Sequence, residues 1–268
     1  MTTFSKGSAA FAAGLFLAAT TAFASGITEK EHDYDIDDEA EYYHNGAPAV
    51  PSEAWLLAAG GRIYDNWWEA LDKSAPEYFT HPSYPETGTQ TGAATWRCVE
   101  CHGWDYKGAE GVYRAGSHYT GIMGIDRAFG KPVGEIFALL RGPVHAYNRE
   151  MIADEELARV AAFVSRGQFD MTKYVDPSTR QIIAGDADRG RNIFQTICAA
   201  CHGFDGRRLN WGGPGENAFI GTEATTVPDE VLNKILHSHT GVDMANLQAF
   251  GPEVAIDVLR YVSTLPVE

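Results

Sequence analysis

Two short segments, Cys98-Val99-Glu100-Cys101-His102 and Cys198-Ala199-Ala200-Cys201-His202, constrain this 268-residue chain more than anything else in it. The same pattern occurs twice, and together the two copies use all four cysteines. Thiols three residues apart on a helical turn face the same way. Cys-x-x-Cys-His is the attachment pattern for a c-type haem: both thiols reach one porphyrin edge and the adjacent histidine swings under the iron. Zinc fits poorly, because adjacent cysteine and histidine do not sit easily on one tetrahedral ion. A redox dithiol has no use for the histidine. The expectation is two covalently attached haem c groups, held by Cys98, Cys101, Cys198 and Cys201, with His102 and His202 as iron ligands.

The motifs sit in a degenerate internal repeat. Upstream, Gly61-Arg62-Ile63-Tyr64 parallels Gly190-Arg191-Asn192-Ile193-Phe194. Downstream, Pro132 to Arg141 parallels Pro228 to His237, each with an apolar stripe at helical spacing (Ile136, Leu139, Leu140; Val231, Leu232, Ile235). A methionine follows each, Met151 and Met244. Then comes a last amphipathic helix, Asp154 to Arg166 and Pro252 to Thr264. First-turn prolines and the acidic start Asp154-Glu155-Glu156 suit helix N-termini. Gly167 can stop the first unit, and residues 168–184 read as a linker. No strand alternation of useful length is present, so the expected fold class is all-α.

The second axial ligand of each iron is expected to be a thioether, which suits iron in this setting. Met151 and Met244 are singled out because each lies directly before the last helix of its unit. Rivals are Met123, His118, His145 and Met171 in the first unit, and His237 and His239 in the second. A proximal histidine usually donates its other ring nitrogen to a carbonyl. Pro214 is the candidate for His202; the first unit offers no equivalent proline.

The units differ in one place. About residues 65–97 form an insertion rich in Trp67, Trp68, Tyr78, Phe79, Tyr84 and Trp96. Aromatic clusters of this kind pack, so a folded flap over the first unit is expected, with a partner surface as the alternative.

Residues 1–24 read as a secretory signal peptide, with Lys6, an apolar run and Ala22-Phe23-Ala24, which implies a periplasmic protein. Residues 25–50 form an acidic segment: Glu29 to Glu41 holds eight carboxylates against Lys30. The formal charge of −15 argues against a nucleic-acid partner and favours redox protein partners with a basic docking face. No transmembrane span is expected after signal removal.

On these residues the chain resembles tandem class I cytochromes c, the dihaem arrangement of the cytochrome c4 type, over about residues 51–268. The resemblance implies two helical domains, 51–167 and 185–268, each wrapped round one haem, the first carrying the aromatic insertion. It also implies electron transfer between redox partners, as free carrier or as the cytochrome subunit of an oxidoreductase. The competing reading is a peroxidase-like dihaem enzyme with an open iron in the first unit, where Arg114, His118 and Tyr119 would form a polar distal pocket. The absence of a fifth cysteine counts against sulfur-oxidising dihaem chemistry.

Overall fold

Ser52 starts the first helix: its side-chain oxygen accepts the Trp55 N–H at 3.2 Å, satisfying one of the open donors of a helix N-terminus. The computed structural model describes residues 47–76 and 79–268. The expected signal peptide and residues 25–46 of the acidic segment lie outside the described residues. Helix α1 is Glu53–Ala70, broken at Asn66, whose φ of −152° and ψ of 98° are extended. The first motif forms the single turn α2, Cys98–His102, ended by Gly103 at φ 79°. Then follow α3 (Val133–Arg141) and α4 (Asp154–Arg166).

In the second half Asp186 caps α5 (Ala187–Ile193) by accepting the N–H groups of Asp188 and Arg189. The chain continues through one π turn, Phe194–Cys198, into α6 (Ala199–His202). Helices α7 (Ile220–Thr226), α8 (Pro228–His237) and α9 (Pro252–Val262) complete the chain. The described residues form helices and loops without strands; Gly108–Met123 and Val175–Ile182 are isolated bridges. Helices α3, α4, α8 and α9 therefore lie where the sequence puts them, with ends shifted by one residue in α3 and two in α9, whereas α7 was not expected and α1 runs on into residues 65–70, which were read as the start of the insertion.

Buried apolar side chains fall into two clusters. One includes Tyr64, Trp67, Leu157, Val160 and Phe163; the other includes Phe194, Leu232, Ile256, Val258 and Leu259. Each is built round the same crossing. Gly60 brings α1 against α4 so closely that an added Cβ would lie 2.3 Å from the Arg159 carbonyl oxygen. Gly190 brings α5 against α9, where a Cβ would lie 1.9 Å from that of Asp257. One turn on, Tyr64 meets Phe163 at 5.4 Å between ring centres, and Phe194 meets Tyr261 at 5.5 Å. The partner of Gly190 is thus Gly60, one residue before the glycine expected. Gly61 serves another contact, packing on the ring of His237 in α8.

That contact belongs to a buried joint between the halves. The Tyr106 hydroxyl donates to Asn233 Oδ1, and Asn233 Nδ2 donates to the Trp104 carbonyl at 2.8 Å. Asp65 accepts from Arg97 on one oxygen and from Lys234 at 3.0 Å on the other. The segment read as a linker also packs: Met171, Tyr174 and Val175 are buried in the second cluster. Met171 is thereby removed from the first unit's candidate ligands.

Candidate functional site

Of the aromatic residues read as an insertion, Tyr78 lies outside the described residues, Phe79 is exposed and Tyr84 half-buried, while Trp96 turns inward just before the first motif. Trp96 is buried, stacks edge-on to His81 at 4.3 Å, and receives the Tyr147 hydroxyl on its carbonyl at 2.8 Å. This anchors the turn that presents Cys98, Cys101 and His102 to a cavity of about 640 Å³. Its walls are mainly apolar, with Ile125, Ile136, Leu140, Val160 and Val164 among them. That volume falls in the range of about 300–1,000 Å³ that suits a small-molecule or cofactor site.

The thiols there are not activated. Burial pushes Cys98 up to about 11 and Cys101 up to about 12. A nucleophilic dithiol or a zinc thiolate needs the opposite shift. Burial likewise pushes Cys198 up to about 11. Cys98 and Cys101 are thus neutral thiols on the wall of this cavity.

His102 Nδ1 lies 2.8 Å from the Met123 carbonyl oxygen, which is the support the sequence did not disclose. Desolvation by the cavity wall pushes His102 down to about 4, so the ring is neutral, the form in which an imidazole can bind a metal. Met151, expected to face it, does not line the cavity. Its N–H is bonded to Asn148 Oδ1 at 2.9 Å, its carbonyl takes the Lys73 ammonium at 3.2 Å, and its side chain packs against the first apolar cluster. The histidine that stands beside His102 in the cavity is His145, at 6.2 Å between ring centres and 31° between planes. His145 Nδ1 is 3.3 Å from the Leu139 carbonyl oxygen, and its own carbonyl receives His81 Nε2 at 2.9 Å. His81 was missed in the sequence; its only signal there is a histidine set among aromatics and prolines.

The residues considered for a polar distal pocket lie elsewhere. His118 pairs with Glu100 at 3.0 Å and stacks on Tyr113, Arg114 bonds the Pro177 carbonyl at 3.1 Å, and Tyr119 is partly exposed. None of the three lines the cavity.

In the second half Cys198 closes the π turn and Cys201 and His202 follow on α6. His202 is buried between Phe194 at 6.3 Å and Trp211 at 5.9 Å, and its Nδ1 has no hydrogen-bond partner among the described residues. The carbonyl expected from Pro214 therefore does not reach it. Burial lowers the His202 pKa and His239 adds to the effect, so a neutral ring is favoured here also. Met244 is half-buried in the loop before α9, its carbonyl accepting the Ser238 hydroxyl at 2.7 Å. His237 is buried against Gly61 and Phe163 at the joint. Among the described residues no helix is long and apolar enough to cross a membrane.

The family described as Cytochrome C oxidase, cbb3-type, subunit III matches residues 185–262, a span that contains the second motif and Met244. A cytochrome c-553-like protein of Synechocystis sp. is 33% identical over 92 residues, which are 34% of this chain and 81% of that protein. The cytochrome bc1 complex cytochrome c subunits of Mycobacterium tuberculosis and Mycobacterium bovis are 28% identical over 118 residues, 41% of this chain. The match spans only 40% of the length of those subunits.

Proposed function

Because the chain belongs to the cytochrome c family, whose members hold haem c covalently and carry electrons, we propose that it is an exported dihaem electron-transfer protein of the periplasm. Cys98 and Cys101 would tether one haem and Cys198 and Cys201 the other, each through thioether bonds. His102 and His202 would ligate the irons, and Met244 would complete the second site. When bound, haem c supplies an iron that gains and loses one electron.

The chain's own work is to exclude water, orient the ligands and hold them neutral. Ile136, Leu140, Val160 and Val164 line the first cavity with hydrocarbon. The Met123 carbonyl sets which nitrogen of His102 is left for the iron. Neither site requires a separate acid, base or nucleophile.

The repeated crossing, Gly60 on Arg159 and Gly190 on Asp257, carries this reading. It supports two domains, residues 51–167 and 185–268, each with its own motif, the first carrying the inserted segment and the two joined by residues 168–184. The acid excess supports redox partners that dock through a basic face. A peroxidase-like enzyme finds less support, since Arg114, His118 and Tyr119 stand outside the cavity lining.

The test is the mass of the mature chain from an exporting host that attaches haem c. Two added haem groups are expected, and Cys98→Ala with Cys101→Ala should remove one of them. A mature chain carrying a single haem contradicts the dihaem assignment.

A further inference from the structure

The first cavity brings two imidazoles to face each other, while Met151 stands outside its lining. Met123 reaches the cavity on the His102 side, where its carbonyl holds that ring. With metal–imidazole bonds of about 2.0 Å and about 1.1 Å from ring nitrogen to ring centre, two imidazoles on one ion stand about 6.2 Å apart. His102 and His145 are separated by 6.2 Å, too far for ring stacking and right for one ion between them. Each ring commits Nδ1 to a carbonyl, Met123 for His102 and Leu139 for His145, which leaves Nε2 on both.

We propose that His145, and not Met151, is the second axial ligand at the first site, so that the iron there is held between two histidines. The proposal rests on the haem assignment made above. It also gives the inserted segment a role. His81 accepts the Ser83 N–H on Nδ1 at 3.0 Å, so its Nε2 carries the proton and donates it to the His145 carbonyl. Trp96 packs on that same ring, one residue before Arg97 and the motif. The insertion thus ties the segment bearing His145 to the segment bearing Cys98, and His81 is a positioning residue for the ligand.

The consequence is an asymmetric pair. A methionine ligand raises the reduction potential of a c-type haem relative to a second histidine. With Met244 at the second site, the first site is the low-potential end and electrons run from it to the second.

The experiment uses the full haem-loaded chain, with haem counted on every sample by mass and by alkaline pyridine spectrum. The oxidised wild type should show a methionine–iron charge-transfer band of one-haem intensity for two haems bound. Met151→Leu should leave that band and both potentials unchanged. Met244→Ala should abolish the band. His145→Ala should keep both haems but open one to carbon monoxide, and His145→Met should double the band and raise the lower potential. His81→Phe should broaden the signal of the two-histidine haem in electron paramagnetic resonance while leaving the methionine band intact. A two-haem band in the wild type, or half the band lost in Met151→Leu, overturns the proposal. A sample with one haem overturns instead the dihaem reading beneath it. If His145→Ala fails to fold, the wild-type and Met151→Leu spectra still decide.

Discussion

His237 shows how one side chain can set a pH limit on the whole molecule. It is fully buried where α1 meets α8, wedged against Gly61 and 5.1 Å from the Phe163 ring centre. Burial holds it neutral, pushing its pKa from 6.5 down to about 4. The unfolded chain takes up a proton below pH 6.5 that the folded chain refuses until about pH 4. The stability tied to His237 is therefore complete above pH 6.5 and is lost as the pH falls towards 4, by about 3 kcal/mol in all. Denaturant midpoints at pH 7 and 4.5 should differ less in His237→Gln than in the wild type; an equal drop in both contradicts the account. At this scale the gathering of Cys98, Cys101 and His102 on one cavity wall was legible, since their spacing sets them on one helical turn. The imidazole that faces His102 across the cavity was not. Met151 repeats the place of Met244 in sequence, but the residue that positions His145 is His81, 64 positions away. No local pattern reports a hydrogen bond across that separation.

At the scale of elements, the helix crossings depend on what is missing from two glycines. Gly60→Ala and Gly190→Ala each place a methyl against a backbone carbonyl that cannot retreat, so each should cost about 1–3 kcal/mol through forced separation of the helices. Thermal unfolding of the two variants reads this directly, and an unchanged melting temperature in either contradicts it. Helices α4 and α8 could be located from their ends alone, because Asp154-Glu155-Glu156 and Pro228 are start signals independent of tertiary context. The glycine register slipped by one because α1 is packed on two sides, with Gly60 serving its own half and Gly61 the other. A repeat comparison sees two adjacent glycines and has no way to divide their duties. Residues 168–184 read as a linker because Pro177, Ser178 and Thr179 break their middle, yet Met171, Tyr174 and Val175 are buried in the second core.

Buried polar groups join the two described halves. Asn233 is the centre of this joint, bonded at once to Tyr106 and to the Trp104 carbonyl. Asn233→Leu keeps the volume but strands both partners, at about 1–3 kcal/mol for each orphaned group. The wild type should unfold in one transition and the variant in two, followed by tryptophan fluorescence and by haem absorbance; a single shared transition in the variant contradicts the coupling. None of this joint could be read from the sequence, since it pairs residues more than 100 positions apart whose types are ordinary on any surface. Its existence has a bearing on speed. Rings from both cores run through it in series, from Tyr64 and Tyr106 to Phe169 and Tyr174. On the dihaem function proposed above, a relay fastened this way has no swing to wait for: thickening the medium would slow its encounters with outside proteins while the internal hop kept its own pace.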